Sequence, residues 1–359
     1  MYIYKLMNER RTTNILLLVI VIPLIFYLLK ILGFILIPLV ASLFIALLFL
    51  PLMRWLTKRK IPNFISIIIV LLIFIGALFI GGEIIKLASK EIIQTQSAFL
   101  EQAQLKLTDL VYAIEDFLGI QFMNDGNLLN IFMNKNDFGK NFGSTLSLIG
   151  NTISMLLMTA FFVVLWLAES LNFYKVLSGA IFKQKYASVK TFMKIENDLI
   201  TFVKVKFFVS AFTGIGFGLS CYFFDVSFPI FWGLFAFLLN FVQMIGSVVS
   251  VILLALFAFV ELDPTTILLF FILTITLVQV LFGSILEPIF MGKSFSINVI
   301  AILVSLMLWG YIWGVPGLIM SIPITVFLKI IFEQFPQTKL FSTILSGNSG
   351  QIHFSKIKK

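Results

Sequence analysis

Residues 65–80 read ISIIIVLLIFIGALFI, sixteen positions with no charge and no alternation of apolar and polar side chains. A strand of a membrane barrel alternates lipid-facing with lumen-facing residues, so a run that is apolar at nearly every position does not belong to one. With its flanking turns it is long enough, at about 1.5 Å per residue, to cross a hydrocarbon core of about 30 Å. In lipid every backbone N–H and C=O needs a partner within the protein, and a helix supplies them from its own segment. The whole chain has the same character: of its 359 residues 60% are hydrophobic and 12% charged, with a mean hydropathy of +1.07. A soluble domain carries about 25% charged residues. The sequence therefore predicts an all-α integral membrane protein.

Toward the N-terminus, Arg54, Lys58, Arg59 and Lys60 form a basic loop closed by Pro62. Two more apolar runs precede it, residues 14–29 and 31–53, punctuated only by Lys30 and Gly33. Lys5, Arg10 and Arg11 open the chain in the manner of a secretory signal, but no small-x-small cleavage site follows, so an uncleaved anchor is expected. Toward the C-terminus the composition changes at Glu83. Residues 83–141 carry eight acidic and five basic side chains. Leu100, Ala103, Leu107, Leu110, Val111, Ile114 and Leu118 fall on one helical face, the pattern of an amphipathic surface or packing helix.

A fourth span, 144–168, leads into a stretch holding Lys175, Lys183, Lys185, Lys190, Lys194, Lys204 and Lys206 against Glu169, Glu196 and Asp198. Cytoplasmic segments carry the excess of Lys and Arg, which puts this stretch inside and segment 83–143, one span away, outside. Three spans counted from a basic, cytoplasmic N-terminus give the same sidedness, with both termini in the cytoplasm. The expected organisation is a three-span region (1–82), an amphipathic extracytoplasmic segment (83–143), a fourth span with a basic linker (144–206), a transport region (207–335) and a basic tail (336–359). Cysteine labelling from the outer side tests it: a cysteine at Asn124 should react and one at Ser188 should not, and the reverse pattern overturns the topology.

From Phe207 onward the chain is almost all apolar. A fifth span ends near residues 225–229. The next block, 229–260, would be roughly 48 Å long as one helix, and the block 298–332 is longer still. Gln243 and Gly246 interrupt the first; Gly310, Gly314, Pro316 and Gly317 interrupt the second. Between them lies a span over 266–288. Each block reads either as a helical hairpin or as a tilted, kinked single span. Two interrupted blocks, each preceded by an ordinary span, suggest a loose internal repeat. Discontinuous helices in repeated positions point to a transport site, because freed backbone groups are tolerated only in buried protein or beside a cavity.

Polar groups within these runs are the candidate lining. Glu287 stands at the end of the 266–288 span, before Pro288, where it could bind a cation, carry a proton, or snorkel and pair with Lys293. Asn240 and Gln243 lie in the first interrupted block, where amides bind a polar solute or satisfy a broken backbone. Gln279 and Ser284 share the helix of Glu287. Candidate hinges are Gly246, Pro288, Gly292, Gly314, Pro316 and Gly317.

Other chemistry is missing from the sequence. With one cysteine, Cys221, and one histidine, His353, neither an intrachain disulfide nor a Cys/His metal site can be built. There is no His-Glu-x-x-His pair and no phosphate loop with its Lys-Ser/Thr, so no enzyme class or cofactor is indicated, and transport would be passive, ion-coupled or energised by another subunit. The charge of +9 flanks apolar segments and forms no nucleic-acid-binding face.

Several stretches resemble, in order, the autoinducer-2 exporter (AI-2E) family of bacterial permeases. PLMRWLTKRKIPNFIS (51–66) resembles its opening block, SLIGNTISMLLMTAFFVVLWLAE (147–169) the following segment, and KFFVSAFTGIGFGLS (206–220) with FWGLFAFLLNFVQMIGSVVS (231–250) the central region. FGSILEPIFMGKSF (282–295) is similar to the family's Gly-Asn-x-x-Glu-Pro-x-x-Met-Gly pattern, with Ser284 in place of Asn. LWGYIWGVPGLIMSIPIT (308–325) is similar to its Trp-Gly-x-x-Trp-Gly-x-x-Gly block. A family Asn-Phe-Ile-Pro-x-x-Gly pattern stands here as residues 240–246, with Gln243 in place of proline.

The resemblance implies about eight hydrophobic membrane segments, a homo-oligomer in the bacterial inner membrane, and export of small solutes. The family's assigned substrates include autoinducer-2, a polar furanone-type signal, and sodium or lithium exchanged for protons. The expected function is a secondary transporter exporting a small polar solute, with blocks 229–260 and 298–332 as its gating part. The alternatives are a sodium(lithium)/proton antiporter, or a non-transporting scaffold assembling partners through the outer segment.

Overall fold

The computed structural model describes residues 2–118, 155–169, 187–242, 245–263, 265–291, 297–334 and 338–346. Among the described residues every regular element is helical. The chain opens with α1 (Tyr2–Ile31) and α2 (Gly33–Lys58), which meet at Leu32. Helix α3 (Asn63–Leu118) follows without a break, 56 residues or roughly 84 Å. Glu83, where the composition changes, is therefore no helix boundary. Apolar span and amphipathic segment are one rod as far as Leu118, and residues 119–143 lie outside the described chain.

Next come α4 (Met155–Glu169) and α5 (Ala187–Phe223), the latter joining the basic stretch to the fifth span in one helix of 37 residues. Then follow α6 (Pro229–Leu239), α7 (Ile245–Glu261), α8 (Thr265–Met291), α9 (Val299–Gln334) and the short α10 (Lys339–Ser346). Among the described residues five helices are long and apolar enough to cross a membrane: α2, the first part of α3 (Asn63–Thr95), most of α5 (Met193–Phe223), α8 and most of α9 (Val299–Glu333). Val19–Ile31, Met155–Glu169, α6 and α7 are apolar but shorter.

Both interrupted blocks turn back on themselves. In the first, Trp232 of α6 packs against Phe257 of α7 with ring centroids 5.1 Å apart. The Ser227 N–H donates to Glu261 Oε2 at 2.7 Å, so residues 34 apart in sequence share one level. In the second, the Thr325 hydroxyl donates to Ser305 Oγ at 2.7 Å. A straight helix would separate those two residues by roughly 30 Å. The reversal falls at Gly314, whose φ of 64° and ψ of −139° are open only to glycine without strain. Pro316 then lies in the first turn of the returning arm, where a missing N–H costs nothing.

The hairpins enter from opposite ends. Helices α5 and α8 run antiparallel: Lys206 meets Glu287, the Phe212 ring stacks on Phe282, and Gly216 abuts Val278. The α6–α7 hairpin leaves from the end of α5 and returns to the start of α8; the α9 hairpin leaves from the far end of α8. A span followed by a hairpin thus occurs twice, in inverted orientation. Close approach of α5 and α6 is allowed by glycine on both sides, since a Cβ at Gly214 would sit 2.6 Å from the Gly233 carbonyl oxygen.

The N-terminal helices hold both hairpins. The carboxylate of Glu91 on α3 accepts from the Ile230 N–H at 3.3 Å, supplying the cap that α6 lacks after Phe228. Further along α3, Phe99 stacks on Phe257 with centroids 4.4 Å apart, and Lys106 pairs with Asp263. At the other hairpin, the Trp313 indole N–H donates to the Leu29 carbonyl at 2.9 Å, and the Lys30 ammonium lies 4.3 Å from the centre of the Tyr311 ring. Arg54 at the end of α2 pairs with Glu196 on α5 at 2.5 Å, which brings the basic α2–α3 corner and the charged part of α5 to one end of the protein.

The largest apolar cluster joins α2, α3, α4 and α5 to both arms of α9 through Ile302, Leu306, Ile322 and Val326, and takes in Val242 from the first hairpin's tip. The turn of the second hairpin packs separately, with Ile312 and Trp313 against α1 and α2. The first tip therefore shares a core with the arms of the second hairpin, not with its turn.

Candidate functional site

Among apolar helices a run of buried polar groups stands out because each needs a partner that lipid and hydrocarbon side chains cannot give. On α5, Lys206, Ser210, Thr213 and the apolar Phe217 fall at helical spacing on one face, all buried. On α8 the facing residues are Gln279, Gly283 and Glu287. The tip of the α6–α7 hairpin places Asn240 between the two helices.

Two levels result. At the first, the Lys206 ammonium donates to Glu287 Oε1 at 2.8 Å, with the two side chains only 3% and 5% exposed. Taking two charges out of water costs several kcal/mol per ion, and only close, hydrogen-bonded geometry of this kind offsets it. At the second, Asn240 Nδ2 donates to Ser210 Oγ at 3.1 Å, while Asn240 Oδ1 accepts from Ser247 Oγ and from Gln279 Nε2, each at 3.4 Å. Four elements, α5, the hairpin tip, α7 and α8, are tied together by one amide.

Local geometry on α8 makes this possible. Residues 280–286 form a π-helical turn between Gln279 and Glu287. In an α-helix side chains eight apart differ in direction by about 80°. The wider i→i+5 turn takes more residues per revolution, reduces that offset and lets both groups face α5. Gly283 gives the Gln279 side chain room to lie along the helix, since a Cβ there would stand 2.4 Å from Gln279 Nε2.

Of the residues singled out from sequence, Asn240, Gln279 and Glu287 converge here. Ser284 does not: it is exposed on the outer side of the π-turn. Gln243, Gly292 and Lys293 lie outside the described residues. Glu287 pairs with Lys206, 81 residues away in sequence. Gly246 packs at the first tip, where a Cβ would come within 1.7 Å of the Leu239 carbonyl oxygen, and Gly317 does the same against Trp309 at 1.9 Å. Pro288 is exposed and α8 continues past it to Met291, so it is no chain break.

Lys206, Ser210, Thr213 and Ser247 were not among the sequence candidates. Lys206 counts, in a charge tally, as one more cytoplasmic cation. The i, i+4, i+7 spacing of Lys206, Ser210 and Thr213 inside an apolar run was the available signal.

Comparison with known proteins agrees along the chain. The profile of the AI-2E family transporters matches residues 15–337. A Borreliella burgdorferi protein bearing the provisional name of a transport protein is 26% identical over 316 residues, 87% of this chain and 84% of its own. A Haemophilus influenzae protein with the same provisional name is 23% identical over 330 residues, covering 88% and 91%. The AI-2 transport protein TqsA of Escherichia coli is 26% identical over 323 residues, covering 87% and 89%.

Proposed function

The chain belongs to the AI-2E transporter family, and from that membership we propose that it is a secondary transporter moving a small polar solute across a bacterial inner membrane along the seam between α5, α8 and the α6–α7 tip. The observation that carries this reading is the Asn240 network at the apex of a helix reversal. Interrupted helices meeting buried polar side chains are the arrangement by which transporters present groups to a solute inside the bilayer. The lining supports a neutral or zwitterionic solute over a bare cation, because the one carboxylate among the described residues of the seam, Glu287, is paired with Lys206. Export as the direction, a homo-oligomeric assembly and a signal of the AI-2 kind as cargo are drawn from the family likeness.

Reconstituted flux tests the proposal. Proteoliposomes should accumulate or release a neutral hydroxylated solute such as ribitol, or AI-2 itself, faster than empty liposomes, with no sodium or lithium movement coupled to protons. Proton-coupled cation flux without solute flux favours the antiporter. No flux of either kind leaves the scaffold reading.

A further inference from the structure

Among the described residues three buried side-chain polar atoms have no hydrogen-bond partner: Thr213 Oγ1, Trp232 Nε1 and Gln279 Oε1. Trp232 stands apart, in an aromatic cluster with Phe231, Phe235 and Phe257. The other two share the seam. With Lys206 level with Glu287, Phe212 with Phe282 and Gly216 with Val278, the antiparallel register brings Thr213 level with the turn between Gln279 and Gly283.

Both oxygens are unusual for their setting. A helical hydroxyl in an apolar environment normally returns its proton to the carbonyl one turn back. Thr159, Thr201, Ser220 and Thr274 all do so here, and Thr213 does not. In the structure the Gln279 nitrogen donates to Asn240 Oδ1, whose own nitrogen donates to Ser210 Oγ, and Gln279 Oε1 is an acceptor that no donor meets. A buried polar atom left unmade costs about 1–3 kcal/mol. Two at one level of a transport seam call for a ligand that supplies what they lack.

We propose that Thr213 and Gln279 are the specificity-determining contact of the transport path, their oxygens accepting hydrogen bonds from the hydroxyl groups of a neutral hydroxylated solute. This rests on the transport reading above and names the groups that select the solute. The remaining side chains described at this level, Ser210, Asn240 and Ser247, are uncharged, and among the described residues the charges in the seam, Lys206 and Glu287, cancel. A solute hydroxyl donates to Gln279 Oε1, which can only accept, and exchanges a second hydrogen bond with the Thr213 hydroxyl.

Thr213→Val keeps the side-chain shape and removes the unpartnered hydroxyl, so stability and transport should move in opposite directions. The thermal midpoint of the purified full-length protein should be unchanged or raised, while ribitol flux into proteoliposomes falls about tenfold, the fold-change of one ordinary hydrogen bond. Thr213→Ser, which restores a hydroxyl, should recover flux. A lowered midpoint in Thr213→Val means that the hydroxyl has a structural partner, and overturns the assignment. Undiminished ribitol flux in Thr213→Val, with the wild type active, overturns it alone. A wild-type protein that passes neither ribitol nor AI-2 overturns the transport reading, and this assignment with it.

Discussion

Replacing Lys206 by methionine is expected to destabilise the protein by about 3–5 kcal/mol, because the buried Glu287 carboxylate would lose the ammonium that donates to it at 2.8 Å. Glu287→Gln should be comparably damaging from the other side, stranding the Lys206 ammonium. The double variant Lys206→Met/Glu287→Gln removes both charges and should recover most of the loss, since a buried pair replaced as a unit is often neutral. Thermal unfolding of the four proteins checks this; single-variant losses that simply add in the double variant would mean that the 2.8 Å contact carries no coupling. The pairing with Lys206 makes the double variant the informative one. It keeps the helices tied but cannot titrate, so an antiporter relying on Glu287 loses proton-coupled cation flux in it, whereas a solute transporter keeps its flux and pH profile.

Gly246→Ala should be the most disruptive single-methyl change at the first hairpin. The new Cβ would stand 1.7 Å from the Leu239 carbonyl oxygen and 2.6 Å from its carbon, both backbone atoms that no rotamer change can move aside. The tip must open, which separates Asn240 from Ser210 and Gln279. Overpacking commonly costs about 1–3 kcal/mol where side chains can adjust, so a backbone obstacle should reach at least the top of that range and reduce flux to that of empty liposomes. Gly81→Ala is the matched control: a Cβ at Gly81 meets nothing within 4 Å, and its place in α3 predicts no loss of stability and a gain of up to about 1 kcal/mol. Equal stability of Gly246→Ala and Gly81→Ala would show that the tip is not tightly closed.

The two breaks were legible in the sequence because their causes are local. An apolar block too long for one span, with Gly246 in one and Gly314, Pro316 and Gly317 in the other, signals an interruption without reference to the rest of the chain. What could not be read was whether each interruption bends or reverses the helix, since a glycine permits both. Reversal was decided by contacts across the hairpin, Trp232 on Phe257 and Thr325 on Ser305.

The same division holds for the site. Asn240, Gln279 and Glu287 announced themselves, because a polar side chain in an apolar run is costly wherever its helix packs. Ser284, which the sequence groups with them, is exposed, on a π-turn that α-helical spacing cannot anticipate. Lys206 and Thr213 were missed for a different reason: Lys206 ends the charged half of α5 and reads as one more cytoplasmic cation, while from Phe207 on the helix is apolar on most of its surface, so the pattern does not fix which face turns inward. That choice belongs to the antiparallel register of α5 and α8, set by Phe212 on Phe282 and by Gly216 against Val278. Helical class, membrane environment and the places where helices fail follow from runs of neighbouring residues. The ion pair, the Asn240 network and the two unpartnered oxygens depend on how helices far apart in the chain slide against one another, and only the packed tertiary structure fixes that.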